Sequence, residues 1–194
     1  MSGATIRLEG VAARYPGAQQ LAIEDIDLDI RSGEFIALVG PSGCGKSTLL
    51  RTVNCMVPIE RGSIELDGVN TATLDPVTMR RGIGYAIQAV GLFSHMTVAQ
   101  NIAIVPSLLG WDRERITARV DAMLELVRLD PPRYRLRHPS ELSGGEAQRV
   151  GVARALAAQP HALLMDEPFG ALDSIVRRTL QRELHEIVRE VGTT

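Results

Sequence analysis

Aromatic residues are scarce in this chain of 194 residues, since phenylalanine, tryptophan and tyrosine together make up only 4% of it. A surface that binds nucleic acid by stacking bases on aromatic rings is therefore not expected. Neither sign of charge predominates, because 21 lysine and arginine residues are nearly balanced by 23 aspartate and glutamate residues, giving a formal net charge of −2. The chain thus has no overall electrostatic attraction to nucleic acid or to anionic lipid.

Long hydrophobic runs and cysteines are few as well. The apolar runs at residues 35–39 (FIALV) and 162–165 (ALLM) are far shorter than the roughly 20 residues of a membrane-spanning helix. Any membrane role is therefore expected to depend on a partner. The two cysteines, Cys44 and Cys55, provide no disulfide framework, so we expect a reducing, cytosolic environment. With 45% hydrophobic residues, the chain can bury the core of one globular or two-lobed domain.

The apolar patterns predict an α/β core with a parallel sheet. Residues 26–30 (IDLDI) alternate between apolar and polar side chains, as in a strand with one solvent-exposed face. Residues 35–39 and 162–165 are apolar throughout, which is typical of strands covered on both faces. Because both runs are followed by polar residues, we expect ligand chemistry along one edge of the sheet.

A helical lobe is predicted between these two apolar strands. Residues 96–129 carry apolar side chains at the spacing of one helix face, and no strand-like run interrupts them. We interpret this stretch as an insertion into the α/β core. A last amphipathic helix is predicted to begin near Asp173 or Ser174 and to end at Gly192.

Residues 40–48 match the pattern G-x-x-x-x-G-K-[ST] and lie between a predicted buried strand and a helix. The members of this phosphate loop are Gly40, Pro41, Ser42, Gly43, Cys44, Gly45, Lys46, Ser47 and Thr48. Glycines let successive backbone N–H groups point at phosphate oxygens, and the helix start adds its positive end. Lys46 is predicted to bridge the β- and γ-phosphates of a nucleotide, and the Ser47 hydroxyl to bind Mg²⁺. A chance glycine-rich turn is the alternative, which the strand and helix context disfavours.

Two carboxylates follow the second buried strand. Asp166 is predicted to hold the Mg²⁺ shell through water, and Glu167 to polarise the water that attacks the γ-phosphate. Carboxylates are common at solvated strand ends, so this prediction depends on the presence of the phosphate loop.

Residues 142–146 (LSGGE) complete an ordered series of motifs that resembles the nucleotide-binding subunits of ABC transporters. The series runs from the phosphate loop through Gln88, which follows a strand, to residues 142–146, the Asp166 and Glu167 pair, and residues 171–173 (ALD). The resemblance covers essentially the whole chain. It implies an α/β fold with a P-loop NTPase core of the ABC type, an inserted helical subdomain and an N-terminal antiparallel β part.

The resemblance also implies how this single ABC ATPase domain is divided. The core would comprise residues 1–88 and 160–194, and the helical signature subdomain residues 89–159.

The resemblance also implies that a further strand and a histidine that holds the γ-phosphate would follow the last helix. None of the histidines of this sequence lies at that place; they are His95, His138, His161 and His185, the last of which is expected on a helix surface. We therefore expect a domain truncated at its C-terminus, with the missing strand between the phosphate-loop strand and the Asp166 strand. Residues 1–194 alone are expected to be poorly stable and to hydrolyse ATP slowly.

Several site residues are implied by the resemblance alone. Tyr15 matches the aromatic residue that stacks on adenine, with an ordinary core tyrosine as the alternative. Gln88 matches a glutamine that reaches Mg²⁺ and links the core to the helical lobe, which adds it to Lys46 and Glu167 as a catalytic residue.

The resemblance further implies an ATP-dependent homodimer in which two chains pack head to tail. Ser143, Gly144 and Gly145 precede a predicted helix, so they would present a second anion-binding helix start to the partner's γ-phosphate. Asp173 would lie near the dimer seam, cap the last helix, or do both. Cys44 occupies a variable position of the phosphate loop, and we expect ATP to block its alkylation.

Residues 84–88, 91–98, 101–106 and 109–112 are similar to importers of quaternary-amine osmoprotectants such as glycine betaine, carnitine and choline. This similarity implies a subunit that couples ATP hydrolysis to solute import through an integral membrane permease. The chain would lie at the cytoplasmic face of the membrane, with a solute-binding protein as an indirect partner and no nucleic acid. The alternatives are a catalytically silent nucleotide-binding or docking fragment and an importer ATPase for another solute, such as an amino acid.

Overall fold

The computed structural model describes residues 3–87, 91–168 and 174–194. In the last of these ranges the side chains are described from residue 177 onwards. Within these ranges the strands are β1 (Ile6–Ala13), β2 (Ile23–Ile30), β3 (Ile59–Leu66), β4 (Val69–Asn70), β5 (Ile83–Ala86) and β6 (Ala162–Met165). The α-helices are α1 (Lys46–Val53), α2 (Pro76–Arg81), α3 (Val98–Leu108), α4 (Arg113–Leu126), α5 (Pro131–Tyr134), α6 (Gly144–Leu156) and α7 (Ser174–Val191). Short 3₁₀ helices occupy Thr71–Thr73 and Pro139–Glu141.

An antiparallel sheet with the strand order β2-β1-β3-β4 forms the N-terminal part. Residue Ile6 of β1 lies opposite Ile30 on one side and Leu66 on the other, which fixes the register. The apolar face of the sheet packs on α1, whose Leu49 and Val53 are buried in the same cluster. The strand predicted at residues 26–30 is confirmed as part of β2, and the antiparallel β part is confirmed with it.

Strands β5 and β6 form a parallel pair that lies between two core clusters. Leu163 of β6 belongs to a cluster with α3, α4, α6 and α7, whereas Ala162 and Leu164 belong to the cluster under the antiparallel sheet. Successive side chains of a strand point to opposite faces, so a strand packed in this way must be apolar throughout. The prediction of a buried strand at residues 162–165 is confirmed.

The strand predicted at residues 35–39 is wrong for this structure. None of these residues lies in a β-strand, and their side chains are largely exposed, with Phe35 at 43% and Val39 at 93%. An isolated apolar run is not a strand until a neighbour pairs with its backbone N–H and C=O groups. No such neighbour lies beside this segment among the residues that the structure describes.

A cavity of about 800 Å³ lies between this segment and β6. Its walls are mainly apolar side chains of β1, β2, α1, β6 and α7. At one end of the cavity Thr194 bonds to the edge of β6, because its N–H donates to the His161 carbonyl (3.1 Å) and its own carbonyl accepts from the Leu163 N–H (2.6 Å). These two bonds have the alternation of a parallel bridge.

The predicted helical lobe is confirmed as α3 and α4, which pack against α6 around buried residues such as Ile102, Leu124 and Val150. Thr97 and Gln100 form a capping box at the start of α3.

The last helix is confirmed as α7, and Gly192 follows it with a φ of 71°, the left-handed geometry of a helix C-cap. None of the helices in the described ranges is both long and apolar enough to cross a membrane.

Candidate functional site

The phosphate loop turns directly into α1, as the sequence predicts. Gly45 caps the start of this helix with a φ of 95°. A side chain at this position would collide with the antiparallel sheet, since its Cβ would lie 2.5 Å from Ile23 Cγ2 and 2.7 Å from the Ala22 carbonyl oxygen. Glycine is therefore required here both by the backbone conformation and by the packing. The result is a helix N-terminus with free N–H groups at the end of a glycine-rich loop.

Lys46 is the first residue of α1, and its side chain folds back over the loop. The ammonium donates to the carbonyl oxygens of Gly40 (2.9 Å) and Pro41 (2.8 Å) and lies 3.7 Å from Cys44 Sγ. Lys46 and Cys44 are both on the solvent-accessible side of the loop. The loop thus presents a cation together with helix N–H groups, which is the chemistry that binds polyphosphate.

Ser47 and Asp166 come together although 119 residues separate them. The Ser47 hydroxyl donates to Asp166 Oδ1 over 2.6 Å. Asp166 is only 2% exposed, and its backbone N–H donates to the Ala86 carbonyl at the end of β5. The carboxyl ends of β5 and β6 and the start of α1 therefore meet at one point. Polar site residues at the end of β6 are as predicted, but the strand beside it is β5 and not residues 35–39.

The oxygen atoms of Ser47 and Asp166 fit a magnesium ion, which prefers a hydroxyl and a carboxylate among its few protein ligands. Within the described part of the chain there is no group of three or more His, Cys, Asp or Glu residues that could hold a metal by itself. Mg²⁺ commonly takes one or two protein oxygens together with phosphate oxygens and water, so a pair of side chains such as Ser47 and Asp166 suits it.

Glu167 follows Asp166 and is exposed. Its φ of 46° is left-handed, which is uncommon for a residue with a side chain and turns the chain sharply after β6. Glu167 lines the same cavity as Lys46 and Asp166. The carboxylate therefore lies on the open side of the site, where a water molecule can reach it.

Tyr15 lies beside α1, with 37% of its surface exposed, and is not part of either core cluster. Its hydroxyl is 3.3 Å from Thr48 Oγ1 and accepts a hydrogen bond from Arg51 Nη1 over 3.4 Å. Tyr15 is thus attached to the helix that follows the phosphate loop, and part of its surface stays exposed.

Ser143, Gly144 and Gly145 form the second helix start, at α6. The Ser143 hydroxyl accepts from the Glu146 N–H (3.3 Å), and the Glu146 carboxylate accepts from the Ser143 N–H (2.7 Å). Tyr134 also donates a hydrogen bond to Glu146. These hydrogen bonds, Tyr134's first, lower the pKa of Glu146 to about 2. The start of α6 is consequently closed by a capping box whose carboxylate is ionised at neutral pH.

A family model described as "ABC transporter" matches residues 23–170. The chain belongs to this family. It is 50% identical to the glycine betaine/carnitine/choline transport ATP-binding protein of Bacillus subtilis and 43% identical to the osmoprotectant import ATP-binding protein of Salmonella typhimurium, with 97% of this chain covered in both. It covers 49% and 50% of those proteins, so the chain spans about half the length of these curated relatives.

A solved ABC cassette has the same fold. It is a dimer in a post-hydrolysis state bound to ADP and Pi, and it superposes with a TM-score of 0.82 at 31% identity, covering 97% of this chain and 85% of that one. The expected P-loop α/β fold of the ABC type, with its helical insertion, is confirmed by this agreement.

Two sequence predictions for the ABC site lie outside the described residues. They concern Gln88 and the segment 171–173, which includes Asp173. The structure in turn adds residues that the motifs did not reveal. Arg51 lies next to Asp166, and its position four residues after Ser47 on α1 is the signal that could have identified it. Tyr134 could not have been found by spacing, because its contact with Glu146 depends on how α5 packs on α6.

Proposed function

We propose that this chain is the ATP-binding subunit of an importer and that it couples ATP hydrolysis to uptake of a quaternary-amine osmoprotectant. The observation that carries the ATPase part is the meeting of Ser47 and Asp166 beside the phosphate loop, with Glu167 on the open side. The solute class rests on the names of the relatives, which are transport proteins for glycine betaine, carnitine, choline and osmoprotectants.

In this proposal the loop residues from Gly40 to Thr48 bind the phosphates through backbone N–H groups, and Lys46 contacts the β- and γ-phosphates. Ser47 and Asp166 hold Mg²⁺, with Gln88 as a further contact. When bound, Mg²⁺ neutralises charge that develops on the phosphate oxygens. Glu167 accepts a hydrogen bond from the attacking water and orients it. Tyr15 stacks on adenine, which its exposed ring beside α1 supports.

The two helix starts belong to different core clusters, since α1 packs under the antiparallel sheet and α6 packs in the helical lobe. We infer that Ser143, Gly144 and Gly145 serve the phosphates of a partner subunit in a head-to-tail homodimer. ATP would then favour the dimer through contacts that exist only in it. The dimeric state of the solved cassette with ADP and Pi is consistent with this assembly.

We further propose that residues 1–88 with 160–194 form the ATPase core and residues 89–159 the signature subdomain. The packing of α3, α4 and α6 in one core cluster supports a separate signature subdomain, and β6 and α7 border that cluster from the ATPase core. The helical lobe would dock on an integral membrane permease, placing the chain at the cytoplasmic face of the membrane. A solute-binding protein would act with the same permease, and the proposal assigns no role to nucleic acid.

Substitution of Glu167 by glutamine tests the catalytic proposal. Because E167Q keeps the shape of the side chain but cannot accept the proton, we expect ATP hydrolysis to fall at least about 100-fold while ATP binding is retained. Size-exclusion chromatography in ATP should show a dimer that persists in E167Q. The matched control is E125Q, which changes an exposed glutamate of α4 and should behave as the wild type.

The alternatives make different predictions in the same assays. Binding of ATP without hydrolysis in either protein would indicate a silent nucleotide-binding or docking fragment. Uptake of labelled glycine betaine, compared with a labelled amino acid, in cells expressing the chain with its neighbouring permease tests the solute. Uptake of the amino acid alone would contradict the osmoprotectant proposal.

A further inference from the structure

Arg51 lies where it can act on the metal-binding carboxylate. It follows Ser47 by four residues on α1, so both side chains project from the same face of the helix. The two divide the carboxylate of Asp166 between them. Ser47 donates to Oδ1 over 2.6 Å, and Arg51 Nη2 lies 3.7 Å from Oδ2.

The burial of Asp166 makes the charge of Arg51 important. Asp166 is 2% exposed, and a buried carboxylate is costly unless a cation or hydrogen bonds compensate for its lost hydration. At 3.7 Å the guanidinium compensates as a charge but is too distant for a hydrogen bond. The lone pairs of Oδ2 therefore stay available to water or to a metal ion, while the positive charge of Arg51 attracts the carboxylate.

Two tyrosines lie next to the guanidinium. Tyr15 accepts a hydrogen bond from Arg51 Nη1 over 3.4 Å. Tyr85 of β5 lies near Arg51 and Asp166, with a buried hydroxyl that forms no hydrogen bond of standard geometry among the described residues. Arginine stays protonated in proteins, so Arg51 is a cation. Its hydrogen bond to Tyr15 restricts the orientation of the planar guanidinium.

We propose that Arg51 is a positioning residue of the magnesium site, which holds the Asp166 carboxylate with Oδ1 towards Ser47 and Oδ2 open to the ion's hydration shell. This inference rests on the proposed nucleotide function. The Arg51 and Asp166 pair in this role differs from a simple surface ion pair, which would affect stability slightly and would not affect metal binding. Partners that orient metal ligands without touching the metal commonly contribute 10–100-fold to metal affinity.

Manganese binding measured by electron paramagnetic resonance tests this role without relying on hydrolysis. Free Mn²⁺ is titrated against the protein with saturating ADP for the wild type, R51M, R51K and the control R61M. In R51M the Mn²⁺ dissociation constant is expected to rise about tenfold. R51K keeps the charge but not the planar fork, so part of the affinity should return. R61M removes an exposed ion pair with Glu24 and should leave the dissociation constant unchanged.

Two further measurements isolate the metal effect. ADP affinity in EDTA should be the same for R51M and the wild type, and thermal unfolding in EDTA identifies a folding defect. If R51M does not fold, R51K carries the test, and a Mn²⁺ dissociation constant equal to that of the wild type contradicts the proposal. An unchanged dissociation constant in a folded R51M also overturns it, as does an equal loss of ADP affinity in EDTA. If the wild type itself binds neither ADP nor Mn²⁺·ADP, the proposed function fails and this inference fails with it.

Discussion

At the scale of single residues, the burial and contacts of several key side chains come from distant parts of the chain and not from their neighbours in the sequence. Asp166 follows an apolar strand, but it is buried because α1 covers it and supplies Ser47 and Arg51. Asn101 is fully buried; its Oδ1 accepts from the Phe93 N–H, and its two amide protons lie within reach of the carbonyls of Phe93, Met96 and Thr97. It thereby shapes the loop before α3, a role that no motif indicated.

Cys44 reports directly on nucleotide binding. Its thiol is exposed in the phosphate loop, 3.7 Å from the Lys46 ammonium. A nucleotide bound to the loop would cover this thiol, so we expect ATP to protect Cys44 from iodoacetamide. Mass spectrometry of the labelled protein measures the effect at each cysteine.

Cys55 provides the control for this experiment within the same molecule. It is half-buried at the far end of α1, with its sulfur 3.9 Å from the sulfur of Met79. Its slower labelling should not change with ATP. Equal labelling of Cys44 with and without ATP would contradict nucleotide binding at this loop.

At the scale of elements, the start of α6 has a pH dependence that can be measured. The pKa of Glu146 is lowered from 4.5 to about 2, chiefly by the hydrogen bond from Tyr134. A carboxyl whose pKa is lower in the folded state stabilises the fold above its unfolded pKa, and this contribution is lost as the pH falls towards the folded value. Glu146 should therefore contribute fully above about pH 4.5 and progressively less between pH 4.5 and about 2.

Substitution of Glu146 by glutamine removes this titration. The difference in unfolding free energy between the wild type and E146Q is expected to be constant near neutral pH and to shrink as the pH falls from 4.5 towards 2. Urea unfolding at a series of pH values provides the measurement. E125Q, on the exposed face of α4, serves as the control and should have little effect throughout. A difference that stays constant down to pH 2 would argue against the ionised cap.

At the scale of the whole molecule, we expect the cavity beside β6 to govern solution behaviour. Apolar walls that are open to solvent favour association. We expect the 194-residue chain to bind the dye ANS and to aggregate as its concentration rises. The substitution I36K, which places a charge on the cavity wall, should reduce both effects; light scattering and dye fluorescence measure them.

The control for this prediction is V77K, which introduces the same charge at an exposed residue of α2 outside the cavity wall. V77K should not reduce ANS binding. If the two variants behave alike, or if the wild type is monomeric and binds no dye, then the cavity does not determine how the molecule associates.

The extent of successful prediction differs between segments for physical reasons. The strands at residues 26–30 and 162–165 and the start of α6 were predictable, because apolar periodicity and capping residues are local properties. Residues 35–39 have the same apolar composition as β6, but they form no strand because pairing requires a neighbour. The motifs identified the phosphate loop and Asp166, whereas the contact of Arg51 with Asp166 depends on the packing of α1 beside the end of β6.

The sequence by itself determined the family, the phosphate loop and the chemical types at the site, because these depend on residue identity and on short spacing along the chain. Only the tertiary structure decided which distant groups meet. It joined Ser47 to Asp166 across 119 residues, placed Arg51 beside that carboxylate with Tyr15 bonded to the guanidinium, and left a cavity beside β6. The physical reason is that burial and charge pairing are properties of packed elements, and packing depends on every element that contributes a surface to the core.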